Sequence, residues 1–187
     1  VGPIRRLAIH RTTQPLSVMK QLNVASFVDS AVQWIKEYAE KAGVKGFVMG
    51  VSGGVDSAVV SALCAKTGLP VLCLEMPIHQ DPTHTARSTR HIEWLRSNFP
   101  LTTSKQIDLT EAFDATVAAI NSVNLDVEPS KLAEANTRSR LRMVTIYHHA
   151  NSMKLLVAGT GNKVEDFGIQ YFTKFGDGAV DFSPIGD

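Results

Sequence analysis

Apolar runs of strand length that alternate with segments of helical periodicity constrain the fold most. Residues 46–51, 69–76 and 154–160 are apolar through most of their length instead of at every second position. Strands buried on both faces have this composition, because helices cover each side of a parallel sheet. We therefore predict an α/β protein built on a doubly wound parallel sheet with helices on both faces.

Residues that cap or break helices give the remaining boundaries. Gly43 ends the first predicted helix, and Ser130 is a suitable N-cap for the last one. A further short strand is predicted at 105–109. The predicted helices cover 23–42, 57–66, 82–98, 110–121 and 130–150. One apolar stripe follows the first helix through Val24, Phe27, Ala31, Trp34 and Tyr38.

Length, charge and cysteine usage limit the partners and the compartment. A chain of 187 residues forms one domain, or one and a part, and can bury a sizeable core. The net charge of +1 is spread along the chain, so we expect neither nucleic acid nor a membrane as partner. No apolar run approaches the ~20 residues of a membrane span. Cys64 and Cys73 lie in apolar segments, which favours free thiols and a cytoplasmic location.

The first 18 residues differ in composition from those that follow. They contain Arg5, Arg6 and Arg11, no acidic residue, and no apolar stretch as long as that of a secretory signal. We expect Met19 to be the natural start, with residues 1–18 left over from expression or forming a disordered extension. The folded domain is then predicted to cover 19–187.

A glycine-rich segment, SGGVDS at 52–57, lies between a predicted strand and a predicted helix. Gly53 and Gly54 let the backbone approach a bulky ligand, and the helix start offers unpaired N–H groups that suit phosphate. Ser52 and Ser57 add hydroxyl donors. Asp56 would repel a phosphate unless a cation lay between them, which predicts Mg²⁺. The alternative is a tight turn in which Asp56 or Ser57 only caps the helix.

Two common phosphate-binding motifs do not match this segment. It has no lysine for G-x-x-x-x-G-K-S/T, and the chain lacks G-x-G-x-x-G. The pattern S-G-G-x-D-S resembles the pyrophosphatase loop of the ATP pyrophosphatases. That superfamily has an adenine nucleotide α-hydrolase-like fold and cleaves ATP between its α and β phosphates to adenylate an oxygen of the acceptor.

Three segments in the second half narrow the resemblance to the NAD synthetase family. They are NTRSRLRMVTIY at 136–147, AGTGNKVEDFG at 158–168 and YFTKFGDGAVDFSPIGD at 171–187. The resemblance covers nearly all of 19–187. It implies ATP-dependent amidation of deamido-NAD to NAD through a NAD-adenylate, with ammonia as nitrogen donor and AMP and pyrophosphate as products.

The family also implies roles for individual residues. Deamido-NAD would be bound by Arg140, Lys174 and Asp181, and Mg²⁺ by Asp56 and Glu165. The implied ATP-binding residues are Gly50, Val51, Ser52, Gly53, Gly54, Val55, Asp56, Ser57 and Thr160. Considered alone, the arginines at 138, 140 and 142 could equally form a solvated face, and Glu165 could be an exposed loop carboxylate.

No side chain is expected to act as a covalent nucleophile. Positioning and charge neutralisation can account for the reaction, and the chain shows no Ser-His-Asp or Cys-His pattern. A glutamine-using form would need an amidohydrolase domain with its own cysteine, for which 187 residues leave no room. Free ammonia is therefore the expected donor, unless a separate chain supplies it.

Several expectations concern the protein beyond this sequence. NAD synthetases continue past VDFSPIGD, so we expect a longer protein that lacks its C-terminal part here, rather than a short and inactive one. Because the family is homodimeric, we expect a homodimer, with the helix from Ser130 as interface or as an ordinary core helix. Glu75 stands where some members have a basic residue that meets the adenine nucleotide.

Two other functions remain open from the sequence. One is another ATP pyrophosphatase, such as a tRNA-modifying enzyme or an amidotransferase synthetase, although the near-neutral charge disfavours tRNA. The other is a nucleotide-binding module without catalysis. Binding of ATP without release of AMP would indicate such a module.

Overall fold

The computed structural model describes residues 23–123 and 130–186. The five α-helices are α1 Val24–Ala42, α2 Val55–Lys66, α3 Pro82–Asn98, α4 Thr110–Asn121 and α5 Lys131–Met153. The four strands are β1 Gly46–Gly50, β2 Val71–Glu75, β3 Thr102–Gln106 and β4 Leu155–Val157. A π-helical segment follows at Val164–Ile169. The expectation for residues 1–18 lies outside the described part of the chain.

The four strands form one parallel sheet in the order β3-β2-β1-β4. The chain moves outward from β1 through β2 to β3 and then returns to the other side of β1 as β4. The strand order therefore reverses between β1 and β4, and their carboxyl ends form the crevice where such sheets bind ligands. The loops after these two strands are the ones that the sequence analysis singled out.

Helices cover both faces of the sheet, which confirms the predicted fold class. On one face, Phe47 and Met49 of β1 pack in a core with α1, α2 and α3. On the other face, Val48 packs in a second core with α4 and α5. The alternation along β1 explains the continuous apolar run, since both sets of side chains are fully buried.

The predicted strand at 105–109 is wrong in its position. The strand runs over Thr102–Gln106, with Val71 opposite Thr102 and Glu75 opposite Gln106. As an edge strand of the described sheet it has a polar sequence, so the apolar-run criterion placed it too late. Backbone bonds from Ile107 N to Glu75 O and from Leu109 N to Pro77 O continue the pairing beyond β3.

The apolar stripe on α1 does not face the core along its whole length. Trp34 and Tyr38 are 46% and 37% exposed, whereas Ile35 and Ala39 are fully buried. The core-facing side is therefore rotated by one residue from the aromatic stripe. Both α1 boundaries agree with the prediction, because Asn23 caps the start and Gly43 adopts a left-handed conformation at the end.

The tail after the π-helical segment returns to the sheet beside β4. Asp181 N donates to Val157 O, and Gly159 N donates to Phe182 O. These bonds and a parallel bridge between Ala158 and Phe182 extend the sheet by a short additional pairing. The return brings the tail to the same sheet edge as the glycine-rich segment. In the described ranges, no helix has both the length and the apolar character needed to cross a membrane.

Candidate functional site

The glycine-rich segment forms a compact turn that internal hydrogen bonds brace. Gly53 has a φ of 82°, a left-handed conformation that residues with a side chain rarely adopt. The Ser57 hydroxyl donates to Gly54 O at 3.0 Å and also accepts from Ser52 N at 3.3 Å. Because Ser57 is only 3% exposed, its hydroxyl supports the turn from the buried side. The exposed Ser52 side chain also braces the turn, because its Oγ accepts from Gly54 N at 3.2 Å and lies 3.2 Å from Ser57 Oγ.

The start of α2 offers backbone donors to an anion. The first intrahelical bond runs from Ala58 N to Gly54 O, so the N–H groups of Val55, Asp56 and Ser57 have no acceptor within the helix. The N-cap Gly54 contributes no side-chain bond. A helix start with free N–H groups and a positive dipole end suits phosphate.

Asn162 connects the two loops at the switch point. Its Nδ2 donates to Asp56 Oδ2 at 3.4 Å, across 106 residues of chain. Its Oδ1 accepts from Val164 N at 3.0 Å and from Glu165 N at 3.1 Å. One amide therefore contacts one implied metal ligand and fixes the backbone of the other.

The carboxylates of Asp56 and Glu165 fit a magnesium ion that arrives with a nucleotide. Both residues are half-buried; Asp56 lies in the first turn of α2 and Glu165 in the π-helical segment, and Asn162 contacts both residues. Within the described ranges, no three His, Cys, Asp or Glu side chains are grouped as a self-sufficient metal site. Mg²⁺ is commonly held by one or two carboxylates together with substrate phosphates, so this donor set is suitable.

A cavity of about 310 Å³ opens between the carboxyl ends of the strands and α5. Ser52 and Thr160 line it from the two loops, and Arg142 lines it from α5. Its remaining wall is largely apolar, with contributions from Leu74, Met76, Met143, Ile146, Val157 and Val180. An apolar cavity with a few convergent polar groups is typical of a small-ligand site.

Side chains of α5 hold the tail segment 173–177. The Ser139 hydroxyl donates to Asp177 Oδ1 at 2.6 Å and accepts from Asp177 N at 3.0 Å. The Thr173 hydroxyl donates to Asn136 Oδ1 at 2.8 Å, and Arg140 Nε donates to Lys174 O at 3.1 Å. Arg140 of α5 and Lys174 of the tail are therefore neighbours.

Asp181 already has a partner for each carboxylate oxygen. Tyr147 Oη donates to Oδ1 at 3.0 Å, and Val157 N donates to Oδ2 at 2.7 Å. Burial, followed by the interaction with Asp181, raises the pKa of Tyr147 to about 12. The tyrosine therefore stays a neutral donor at physiological pH and holds the carboxylate beside β4.

Glu75 lies in a structural position away from the cavity. Leu74 and Met76 line the cavity, whereas the Glu75 side chain turns towards α3 and is 8% exposed. Its Oε1 accepts from the hydroxyls of Ser88 at 2.6 Å and Thr89 at 3.0 Å. This residue anchors α3 to β2 and does not line the cavity.

Sequence reasoning missed several residues of the site. Ser139 and Asp177 line the cavity and tie the tail to α5, and Asn162 connects the loops. Asn162 and Asp177 occur inside the quoted segments, but only their partners across the fold reveal what they do. Arg142 also lines the cavity, although the family resemblance gave it no role in ligand binding.

The helix proposed as a subunit interface has an ordinary core face. Met143, Ile146 and Ala150 of α5 are buried against this chain's own sheet. Leu132, near the start of α5, is 66% exposed. The buried residues of α5 are therefore covered within this chain and do not themselves argue for a dimer.

Comparisons with known proteins agree with this architecture. The family model described as NAD synthase matches residues 27–187. The NH3-dependent NAD+ synthetase of Archaeoglobus fulgidus is 39% identical over 170 residues, which cover 89% of this chain and 64% of that protein. The corresponding protein of Carboxydothermus hydrogenoformans is 35% identical over 173 residues, with 89% and 66% covered. The chain thus spans about two thirds of the length of these relatives.

Solved structures give the same result. The NMN synthetase of Francisella tularensis superposes with a TM-score of 0.79 at 32% identity, covering 87% of this chain and 64% of that one. The NH3-dependent NAD synthetase of Campylobacter jejuni, solved with a nitrate ion, superposes with a TM-score of 0.76 at 28% identity, covering 89% and 68%. Sequence and fold lead to one conclusion: the chain belongs to the NAD synthase family.

Proposed function

We propose that this chain takes part in the ATP-dependent amidation of deamido-NAD to NAD, with ammonia as nitrogen donor and AMP and pyrophosphate as the other products. The observation that carries the proposal is the meeting of two loops at the switch point, where Asn162 joins Asp56 to the backbone of Glu165. Family membership supports the choice of acceptor, because relatives that cover most of this chain are named NH3-dependent NAD+ synthetases.

ATP would bind along the sheet edge. Its terminal phosphates would accept from the free N–H groups at the start of α2 and from the Ser52 hydroxyl. Its nucleoside would enter the apolar cavity beside Met76, with Thr160 at the cavity wall. Ser57 would act indirectly, by holding the turn in which Gly53 has its left-handed conformation.

The first chemical step forms the adenylate. A carboxylate oxygen of the nicotinate group attacks the α-phosphorus of ATP. The bond from that phosphorus to the bridging oxygen breaks, and pyrophosphate leaves with the electron pair. The N–H groups at the start of α2 stabilise the charge that develops on the leaving group.

Magnesium would be held by Asp56 and Glu165. When bound, it would neutralise negative charge on the phosphates as pyrophosphate leaves. The contribution of the chain is the Asn162 amide, which contacts the Asp56 carboxylate and holds the backbone of Glu165.

The second step is the attack of ammonia on the activated carbonyl carbon. The C–O bond to AMP breaks, AMP leaves with the electron pair, and the nitrogen loses a proton to give the amide. Arg140 and Lys174 would bind anionic groups of deamido-NAD, because Arg140 of α5 contacts the backbone of Lys174 in the tail segment and so brings the two cations close together. Asp181, held by Tyr147, would accept from a ribose hydroxyl or lie beside the pyridine side of the substrate.

Free ammonia is the proposed nitrogen donor. Cys64 and Cys73 are buried free thiols, and burial raises the pKa of both. Neither can act as the exposed thiolate that releases ammonia from glutamine. These buried thiols also support the proposal of a cytoplasmic location. A homodimer is proposed on the family resemblance, with exposed aromatic residues of the tail, such as Tyr171 and Phe175, as candidate contacts.

A second acceptor follows from one comparison. The Francisella structure is named an NMN synthetase and has a TM-score of 0.79 with this chain. The acid form of that mononucleotide presents the same nicotinate carboxylate to ATP as deamido-NAD does. It is therefore the second candidate substrate.

The test is a product assay by mass spectrometry with ATP, Mg²⁺, an ammonium salt and either acceptor. We expect NAD and AMP in equal amounts from deamido-NAD, and none from Asp56→Asn, which keeps the shape of the side chain but not its charge. Glutamine should not replace ammonium. ATP binding without AMP release would indicate a binding module, and AMP release with neither acceptor would indicate another ATP pyrophosphatase. Either result would refute the proposal.

A further inference from the structure

Arg142 is a cation in the wall of the cavity. Its Nε donates to Met76 O at 2.9 Å, which fixes the guanidinium at the carboxyl end of β2. The side chain is half-buried and lines the same cavity as Ser52 and Thr160. The Nε bond leaves the two terminal nitrogens of the guanidinium for a ligand.

No described carboxylate forms an ion pair with Arg142. Asp177 also lines the cavity, but its Oδ1 accepts from Ser139 Oγ and from Thr173 N. Burial and the neighbouring charge of Arg138 lower the pKa of Arg142, yet an arginine remains protonated in proteins. A half-buried cation without a carboxylate partner is suited to an anionic ligand.

The other arginines of α5 have different surroundings. Arg138 lies over the Phe113 ring, with 4.3 Å from its Cζ to the ring centroid, and forms an i,i+4 pair with Glu134. Arg140 is exposed and contacts the tail at Lys174 O. Of these three arginines, Arg142 alone lines the cavity. The charge of Arg142 therefore lies at the cavity, whereas the charge of Arg140 lies beside the tail segment 173–177.

We propose that Arg142 binds the phosphate attached directly to the nucleoside, the α-phosphate of ATP and the phosphate of AMP. The inference rests on the proposed function, in which ATP places its nucleoside in the cavity and its terminal phosphates at the start of α2. The α-phosphate connects these two regions, and Arg142 lines the cavity together with Ser52 of the glycine-rich segment. At that position the guanidinium stabilises the negative charge of the phosphoryl group that undergoes attack.

Calorimetric binding measurements with three probes test this assignment on the 187-residue chain. The probes are AMP, magnesium pyrophosphate and α,β-methylene-ATP. In Arg142→Met, we expect AMP and the ATP analogue to bind about 10- to 100-fold more weakly, because a charge-assisted contact is lost. Pyrophosphate should bind with nearly unchanged affinity, because it lacks the phosphate that is attached to the nucleoside.

Matched variants separate a specific contact from a general effect of charge. Arg138→Met removes the same charge one turn earlier on α5, outside the cavity, and should leave all three affinities unchanged. Arg142→Lys keeps a positive charge but loses the planar guanidinium that can donate two parallel hydrogen bonds, and it should bind AMP with intermediate affinity. Thermal unfolding of each variant checks that the fold is retained, and Arg142→Lys still tests the assignment if the methionine variant does not fold.

Three results would overturn the assignment. They are wild-type affinity for AMP in Arg142→Met, an equal loss of pyrophosphate affinity, and absence of AMP binding by the unaltered chain. The NAD assay is independent of these measurements. A chain that makes no NAD but loses AMP binding through Arg142→Met would contradict the proposed reaction and still support the role of Arg142.

Discussion

The side chains of Asn162 and Asp56 meet at the carboxyl edge of the sheet, with 3.4 Å between Nδ2 and Oδ2. The first follows β4 and the second lies in the first turn of α2, on the two sides of the switch point. The side chain of the same asparagine accepts from Val164 N and Glu165 N. The contact makes the position of one implied metal ligand depend on the loop that presents the other.

Asn162→Ala should weaken the binding of magnesium and ATP together. The substitution frees the Asp56 carboxylate and removes the acceptor for Val164 N and Glu165 N. Loss of such hydrogen bonds corresponds to about 1–2 kcal/mol, or roughly a tenfold weaker Kd for the magnesium–ATP complex. Calorimetric titration at several magnesium concentrations measures the change. If affinity stayed at the wild-type level, the asparagine would have no positioning role.

Ser57→Ala should loosen the glycine-rich turn without removing a donor that faces the ligand. The buried hydroxyl donates to Gly54 O and accepts from Ser52 N, so its loss leaves both groups without this partner. We expect a loss of about 1–2 kcal/mol in the free energy of unfolding and a higher KM for ATP. Urea denaturation and steady-state kinetics measure the two effects. A raised KM at unchanged stability would mean that Ser57 contacts ATP directly.

Glu75→Gln should affect stability and not nucleotide binding. The buried carboxylate accepts from Ser88 and Thr89 on α3, on the side of β2 away from the cavity. Both hydroxyls donate to the same oxygen, so the amide oxygen of glutamine can retain both contacts without the charge, and we expect a loss of about 1 kcal/mol or less in the free energy of unfolding. Calorimetric affinity for α,β-methylene-ATP should be unchanged. A clearly weaker affinity would show that position 75 does contact the nucleotide.

Tyr147→Phe should change the alkaline pH dependence of stability. In the folded chain the pKa of Tyr147 is raised to about 12, chiefly by burial, whereas an unfolded tyrosine titrates near 10. The stabilisation from the neutral phenol is therefore complete below about pH 10 and is lost as pH rises from about 10 to 12. The phenylalanine variant should lack this loss. Denaturant unfolding of both proteins at pH 9 and pH 11 provides the comparison.

The same variant should raise the KM for deamido-NAD more than that for ATP. Tyr147 holds Asp181, which is an implied ligand of the dinucleotide. A merely structural role would lower kcat or stability without distinguishing the two substrates. Initial rates with each substrate varied in turn decide between these cases, and Tyr38→Phe serves as a control because its hydroxyl contacts only the backbone of Asp181.

The fold could be predicted because buried parallel strands have a distinctive composition. The runs at 46–51 and 69–76 contain β1 and β2, and Asn23, Gly43 and Pro82 marked helix ends that the structure retains. The polar edge strand β3 was misplaced because neither of its faces is covered as those of β1 are. Trp34 and Tyr38 misled the reading of α1, since aromatic residues at helical spacing also occur on exposed faces.

The site could be predicted only as far as local motifs extend. The segment 52–57 indicated a phosphate-binding turn, and family resemblance supplied Thr160 and Glu165. Contacts between distant segments, such as Asn162 with Asp56 and Ser139 with Asp177, follow from the topology and not from spacing. Arg140 and Arg142 also differ in this way. They are two residues apart and lie on different faces of α5, so one guanidinium contacts the tail and the other lines the cavity.

An oxygen-transfer experiment tests the central claim most directly. Deamido-NAD with ¹⁸O at both oxygens of its nicotinate carboxylate is incubated with the chain, ATP, Mg²⁺ and ammonium. The masses of the products are then measured by mass spectrometry. Direct attack of the carboxylate on the α-phosphorus predicts one ¹⁸O in each AMP, unlabelled pyrophosphate and NAD that retains one ¹⁸O in its amide. Label in pyrophosphate, or AMP without label, would contradict the adenylation that we assign to this site.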